Sequence, residues 1–499
     1  MILSIDQGTT GTTCFVVDED GEPVGRAYRE FQQHFPRPGW VEHDMGEIWA
    51  VTRAVALAAC DDAGVDPADL AAVGITNQRE TICVWDPATG EPLHRAIVWQ
   101  DRRTAAACDR LREAGHEPLV RQRTGLVLDP YFSGTKMAWL MEQAPELRER
   151  ARRGSAVFGT IDSWLLFQLT GEHVTEPSNA SRTMLFDLET GQWDPELCDL
   201  LGVPMRALPE IRPSIGGFGR VRPEVLGGAT CPVGGVAGDQ QAALYGQACL
   251  DRGEGKNTYG TGSFVLLNTG TLEDTPDGRP VIHEGLITTV AWQIGQRTVY
   301  ALEASVFATG AAVQWLRDGL GIIASAGESE PLAASLSSND GVYLVPAFAG
   351  LGAPHWDPYA RGTIVGLTRG STRAHLARAT LEAIAFQTVD AVRAMEVAAQ
   401  EDLRVLKADG GATANRWLMQ FQADVLGVPV VVPAIHETTA LGAAFLGGVG
   451  VGTWNQRDVT RTWREATRFE PRMSRDEAEA LHAGWTDAVT RSLRQVQPD

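Results

Sequence analysis

Two short segments carry the residue types that handle a polyphosphate. Ile5-Asp6-Gln7-Gly8-Thr9-Thr10-Gly11 and Thr258-Tyr259-Gly260-Thr261-Gly262-Ser263 each set glycine and threonine between two strand-like runs. Glycine lets the backbone approach a ligand closely, and successive amides form an anion-binding nest. Asp6, at the end of the first strand, is placed to reach the Mg²⁺ that accompanies phosphates. It would do so through water, because Mg²⁺ dehydrates reluctantly. Either turn alone is equally a hairpin with a helpful glycine. The two together, with Gly8 and Gly260 half a chain apart, could clamp one polyphosphate between them.

Three further segments could complete a reaction. Val233–Ala237 reads as a buried strand, followed by Gly238-Asp239-Gln240-Gln241 and a helix from Gln241 or Ala242. Ligands of α/β proteins bind at such carboxyl ends of strands. A carboxylate there can act as general base for a hydroxyl nucleophile, or it can simply cap the next helix. Asn77-Gln78-Arg79-Glu80 is a tight polar turn. Its arginine donates and its glutamate accepts hydrogen bonds, so the pair can grip vicinal hydroxyls of a polyol, or it is a solvated turn. Leu406–Ala408, then Asp409-Gly410-Gly411-Ala412, then a helix from Asn415, is a strand–Gly–Gly–helix unit open to a flat or charged ligand.

The elements that must position these residues alternate in type, which predicts α/β architecture. Strands are expected at Ile2–Ile5, Thr13–Val17, Ala72–Thr76 and Thr81–Trp85, with a hairpin turn at Asp20-Gly21. Ser371–Met395 reads as a helix capped by Ser371 or Thr372, with Leu376, Ala379, Ala383 and Phe386 on one face. The echo between the two Gly/Thr turns predicts two duplicated domains facing each other, joined near Gly246–Gly255.

Composition narrows the function. The 499 residues carry 43 basic and 63 acidic side chains, a net charge of −20, with only three lysines, Lys136, Lys256 and Lys407. That argues against a nucleic-acid partner or an anionic membrane surface. Seven scattered cysteines without C-x-x-C fit small buried thiols in a reducing compartment. The N-terminus turns polar at Ser4, unlike a signal peptide, and the run from Thr438 to Asn455 is too polar for a membrane span. A cytoplasmic protein is expected. Walker A, G-x-G-x-x-G, protein-kinase and H-E-x-x-H signatures are missing.

Taken together, the motifs resemble the glycerol kinase branch of the FGGY carbohydrate kinases, within the actin-like ATPase superfamily, nearly end to end. The resemblance rests on Asp6-Gln7-Gly8-Thr9-Thr10, Pro38 to Asp44, Gly74 to Thr81, Tyr131 to Gln143, Asn179 to Thr183 and Gly362 to Glu382. It implies two ribonuclease H-like domains, residues 1–248 and 249–499, with a catalytic cleft between them. It implies phosphorylation of glycerol by ATP with Mg²⁺. Asp239 would be the base. Arg79, Glu80, Tyr131, Asp239 and Gln240 would contact glycerol, with Trp99 and Phe264 as apolar walls. Thr9, Thr10, Gly11, Thr261, Gly310, Gln314, Gly411 and Asn415 would contact the nucleotide, and Asp6 and Asp239 the metal through water. A homo-oligomer, dimer or tetramer, is expected. The rivals are a kinase for another polyol or ketose, and an actin-like chaperone or filament. Arg79-Glu80 and Gln7 speak against the first, and no β-rich peptide-binding region follows to support a chaperone.

Two departures stand out. Gly11 and Thr13 occupy positions where the family often has Ser and Arg. In Gly227-Gly228-Ala229-Thr230, Thr230 stands where fructose bisphosphate-regulated members carry an Arg. A neutral hydroxyl cannot replace bidentate guanidinium–phosphate bonds. No histidine lies between His173 and His283 to accept a phosphoryl group from a sugar-transport phosphocarrier. Fructose bisphosphate at millimolar order should therefore leave turnover unchanged in a steady-state assay. Inhibition that disappears in Arg222→Ala would show another cation serving the site.

Overall fold

The computed structural model describes residues 1–357 and 359–493. Its framework is one strand arrangement used twice. In the first half, Pro23–Glu30, Gly11–Val17 and Ile2–Gln7 form an antiparallel meander. Ala72–Asn77 and Val233–Gly238 extend it in parallel beyond Ile2–Gln7. In the second half, Arg297–Val306, Ser263–Gly270 and Glu254–Tyr259 repeat the meander, and Val405–Asp409 and Val430–Pro433 repeat the parallel pair. Numbered within each half, both sheets run 3-2-1-4-5. Ile287–Ile294 and Glu465–Phe469 add an edge strand on either side of the second.

The two Gly/Thr turns are the same feature in both halves, the tip of the first hairpin. The Gly8 amide donates to the Gly11 carbonyl (2.9 Å), and the Gly260 amide to the Gly262 carbonyl (2.8 Å). The internal echo read in the sequence is thus a structural equivalence.

After its fifth strand each half sends a helix between the sheets: Asp239–Gly246 from the first and Thr438–Gly450 from the second. The second helix lies on the first half's sheet, where Ser4 Oγ donates to the Ala440 carbonyl at 2.5 Å. Contact is so close that only glycine fits. A Cβ on Gly74 would sit 1.9 Å from the Ala443 oxygen, and one on Gly442 1.8 Å from the Ala242 oxygen of the other helix. The core around the crossing joins Ile2, Phe15 and Ala72 of one sheet with Leu266, Trp292 and Val299 of the other. The apolar run from Thr438 is therefore interior packing. No helix among the described residues is long and apolar enough to cross a membrane. All seven cysteines are buried and unpaired.

Several boundaries differ from the sequence reading. Ile2–Gln7 and Gly11–Val17 run longer, leaving only Gly8-Thr9-Thr10 as the turn. Asn77–Glu80 leads from the first sheet into a different one, through Ile82–Trp85, and Glu80 takes a positive φ of 62°. The helix expected from Gln241 begins at Asp239, with Gly238 as its cap. Thr372 does cap the long helix, which spans Arg373–Ala399. That helix is buried on nearly every side through its middle, whereas Leu376 of the expected apolar face is half-buried. Helix packing on several faces has replaced the single stripe.

Gly442→Ala or Gly74→Ala should destabilise the chain by about 1–3 kcal/mol or more, the usual cost of overpacking. A thermal midpoint within a degree or so of the parent's would mean the crossing can relax.

Candidate active site

The polar turn after Ala72–Asn77 is not solvated. Arg79 and Glu80 are both at least 97% buried. Their partners explain how. Arg79 Nε forms an ion pair with Asp239 Oδ1 at 2.9 Å, and Arg79 Nη1 donates to Glu303 Oε2 at 2.5 Å. Arg182 Nε donates to Glu80 Oε1 at 2.6 Å, and Arg182 Nη2 to Glu303 Oε1 at 2.9 Å. Gln241 Oε1 accepts a longer bond from Arg79. Arg79, Glu80, Arg182 and Asp239 come from the first half, and Glu303 from strand Arg297–Val306 of the second. Burial would raise the Glu303 carboxyl, but Arg182 and Arg79 outweigh it and hold it down to about 2.

Lys256 joins this cluster from below. Its ammonium, fully buried, donates to Gln240 Oε1 and, at 2.9 Å, to Thr258 Oγ1 beside the second turn. Burial lowers it to about 8 against the pull of Asp409 and Asp239. Lys256 lies level with Leu266 and Glu303 across three strands of the second sheet. One row of that sheet therefore presents both a cation and an anion to the site.

Aromatic rings wall the cluster. The Arg182 guanidinium lies 5.6 Å from the Tyr131 ring, Tyr131 meets Trp99 edge-on at 5.5 Å, and Arg79 lies 5.9 Å from Phe264. Trp99 is more than a wall: its indole N–H donates to Thr9 Oγ1 at 2.9 Å, tying this end to the first turn. Gln7 and Gln78 make a second tie, with Gln78 Nε2 donating to the Gly8 carbonyl at 3.1 Å. Lys136 Nζ donates to the Tyr131 carbonyl at 2.7 Å and anchors that stretch.

Asp239 itself is 30% exposed on its side chain. Its Oδ1 accepts from the Gln240 amide (2.7 Å) and is the oxygen that ion-pairs with Arg79. Both contacts fall on Oδ1, so Oδ2 is the oxygen available to take a proton. The backbone before it is held by a buried relay. Gly238 N–H donates to Ser178 Oγ, Ser178 donates to Glu176, and Asn179 bonds both Glu176 and Asn77. Segment 176–182 thus locks the ends of two parallel strands and supplies Arg182.

The remaining residues gather at the second turn. Gly310 N–H donates to the Gly260 carbonyl at 3.0 Å, and a Cβ there would meet that oxygen at 2.7 Å. Gly410, at φ +88°, packs on Tyr259, whereas nothing lies within 4 Å of a Cβ position on Gly411. Gly411 faces open space, as a ligand-facing glycine must. Asn415 caps helix Arg416–Leu426 through Leu418 N–H and donates to Ser329 Oγ at 3.3 Å. Gln314 and Thr10 are exposed, and Thr261 carries the turn through its carbonyl contacts with Thr309 and Ala311. Gly11 is different. The place of its side chain is filled by the Tyr28 ring and the Arg29 carbonyl, each 2.7 Å from a Cβ, so its α-carbon face is closed. Among the described residues no hydrogen bond or ion pair joins the first turn to the second.

Asp6 lies level with Thr13 and Tyr28 on one face of the first sheet. Burial and then the Asp239 charge push its carboxyl up to about 7. A buried carboxylate raised by a neighbouring carboxylate fits a site that a divalent cation would share. Among the described residues no three His, Cys, Asp or Glu side chains could hold a metal unaided. Phosphate oxygens and water would have to complete the shell.

Sequence reasoning gave no role to Glu303, Lys256, Gln241 or Arg182. Arg182 stood in a quoted motif. Glu303 had a signal, a lone carboxylate within the apolar run from Val299 to Val306.

Known proteins carry the same pattern. The model of the N-terminal domain of the FGGY family of carbohydrate kinases matches residues 1–246, and that of the C-terminal domain residues 255–451. A glycerol kinase of Trichlorobacter lovleyi is 58% identical over 501 residues, covering 100% of this chain and 99% of that protein. A glycerol kinase of Deinococcus radiodurans is 54% identical, covering 98% and 97%. The crystal structure of Plasmodium falciparum glycerol kinase with ADP superposes with a TM-score of 0.93 at 37% identity, covering 99% of this chain and 98% of that one. A gluconate kinase from Lactobacillus acidophilus, at 21% identity and a TM-score of 0.87, shares the fold. The chain belongs to the FGGY family of carbohydrate kinases.

Proposed function

We propose that the chain transfers the γ-phosphoryl group of ATP to a terminal hydroxyl of glycerol, giving sn-glycerol 3-phosphate. The observation that carries this reading is the buried Arg79–Glu80–Arg182–Glu303 cluster opening at Asp239. It offers donors and acceptors for hydroxyls beside a half-exposed carboxylate. The cluster is also charge-balanced. Arg79, Arg182 and Lys256 oppose Glu80, Glu303 and Asp239, so no cation is left over for an acid. An uncharged polyol suits it better than a sugar acid. The relatives named glycerol kinase across the full length support the same choice.

Arg79, Glu80, Tyr131 and Gln240 would hold glycerol between Trp99 and Phe264. Asp239 would take the hydroxyl proton as the oxygen bonds to phosphorus and the bond to ADP breaks. Thr9, Thr10 and the amide of Gly11 on one side would cradle phosphates, with Thr261, Gly310, Gln314, Gly411 and Asn415 on the other. Mg²⁺, when bound, supplies charge neutralisation on the phosphates, and Asp6 and Asp239 would hold it through water. Positioning and charge balance dominate phosphoryl transfer, so rigidity around Asp239 matters more than covalent chemistry. The reading further places the domain boundary at 248/249 and has the chain work as a homo-oligomer in the cytoplasm.

ATP consumption measured side by side with glycerol, erythritol, xylulose, dihydroxyacetone and gluconate tests the substrate. Glycerol should give the highest kcat/KM, and a preference for another sugar would overturn the reading. Asp239→Asn should keep the fold and bind glycerol while losing about 10²–10⁴-fold in kcat, the usual contribution of a positioned base. Turnover within a factor of a few would remove Asp239 from that role. Glycerol with a non-hydrolysable ATP analogue should compact the chain in small-angle scattering, since cleft closure excludes water that would compete for the phosphoryl group. Superimposable profiles would mean a cleft that is already closed.

A further inference from the structure

Among the described residues Glu303 alone hydrogen-bonds both buried arginines of the substrate end, Glu80 reaching Arg79 only as an ion pair at 4.0 Å, and Glu303 comes from the opposite half. Its side chain is completely buried, and each oxygen takes a charged N–H: Oε2 from Arg79 at 2.5 Å, Oε1 from Arg182 at 2.9 Å. Arg79 reaches Asp239 through Nε alone, while its terminal nitrogens face Glu303. Arg182 is divided in the same way between Glu80 and Glu303. Glu303 therefore sets the orientation of Arg79, and through Arg182 that of Glu80, the two residues of the polyol turn. It also removes charge. Without it the terminal nitrogens of Arg79 and Arg182 that now face Glu303 would have no carboxylate partner in a buried site.

We propose that Glu303 is a positioning and specificity residue: it fixes Arg79 and Arg182 from across the cleft and takes up the positive charge that would otherwise admit an acid. The inference rests on the glycerol reading above. A buried guanidinium without a carboxylate partner seeks one, and a ligand carboxylate of the right size can supply it. D-glycerate is glycerol with one terminal carbon oxidised to a carboxylate, so it probes that vacancy directly.

The experiment compares the full-length chain with Glu303→Gln and Glu303→Asp. Glutamine keeps the shape and removes the charge. Its kcat/KM for glycerol should fall on the order of ten- to a hundredfold, the size of one lost charge-assisted hydrogen bond, with the ATP KM little changed. D-glycerate should inhibit the parent poorly and compete with glycerol about tenfold or more better in Glu303→Gln. Aspartate keeps the charge with a shorter reach. It should raise the glycerol KM without gaining affinity for glycerate. A merely structural role would lower the active fraction of each variant and leave both ratios unmoved. Unaltered glycerol KM in both variants, or no gain for glycerate in Glu303→Gln, would overturn the proposal. If the glutamine variant cannot be purified, Glu303→Asp decides through its glycerol and ATP KM values, and equal changes in both sink the idea. A parent chain that does not phosphorylate glycerol would instead defeat the underlying reading.

Discussion

Three buried cations and two buried carboxylates, with the partly exposed Asp239 beside them, constrain everything around them. Removing an ion from water costs several kcal/mol even after relaxation, and only close, well-directed pairs offset that. The six residues come from five separate stretches of chain: 79–80, 182, 239, 256 and 303. Four of them sit on the first half and two on the second, Lys256 and Glu303. Each half is balanced by charge count, two against two and one against one, but the hydrogen-bonded arginine partners of Glu303 lie only on the other half. Correct docking of the halves is thus a condition for tolerating the cluster. The glycine contacts at Gly74, Gly246 and Gly442 bring the two crossing helices close enough to meet it.

The same arrangement divides the cleft into two kinds of surface. At the substrate end, side chains are paired and enclosed, and their order is set before any ligand arrives. At the turns, Thr10 and Gln314 are exposed and Gly411 faces open space. On the proposed reading, backbone amides there would meet a ligand that brings its own charge and its own metal. A neutral polyol needs precise hydroxyl geometry, which the rigid end would provide. A polyphosphate needs field strength more than shape, which glycine-rich turns would provide. Trp99 and Gln78 connect the two, since each bonds both the polyol turn region and the Gly8–Thr9 hairpin.

What could be read in the sequence was local. The Gly/Thr turns, the Asp20-Gly21 hairpin and the Thr372 cap depend on neighbouring residues, and each is present. The duplicated halves were legible because the turn chemistry repeats. The interior of the site was not. Nothing near Glu303 in sequence indicates that Arg79, 224 residues away, will meet it. Asn77-Gln78-Arg79-Glu80 has the composition of a surface turn, and its burial follows from partners on several distant segments, among them Gln7, Ser133, Arg182 and Glu303. Gly11 looked like a phosphate-loop glycine; its closed α-carbon face follows from Tyr28 on the neighbouring strand. The helix boundary at Asp239 was displaced because Gly238 serves as cap without a side chain, so the usual capping signal is missing.

Lysine usage completes the logic. All three lysines of the chain are buried, and each ends on oxygens of a segment that shapes the cleft. Lys136 holds the carbonyls of Tyr131 and Phe132. Lys256 holds Gln240 and Thr258, one on each side of the cleft. Lys407 donates to the carbonyls of Gln247 and Ala248, just past the helix that begins with Asp239. An ammonium is compact and carries three donors, which suits a crowded cluster of carbonyls better than a planar guanidinium does. Arginine instead appears where a carboxylate must be held in a plane, as at Glu303. The surface takes its positive charge from arginine alone among the described residues. Each lysine that remains is therefore placed by the geometry of the cleft rather than by the need for solubility.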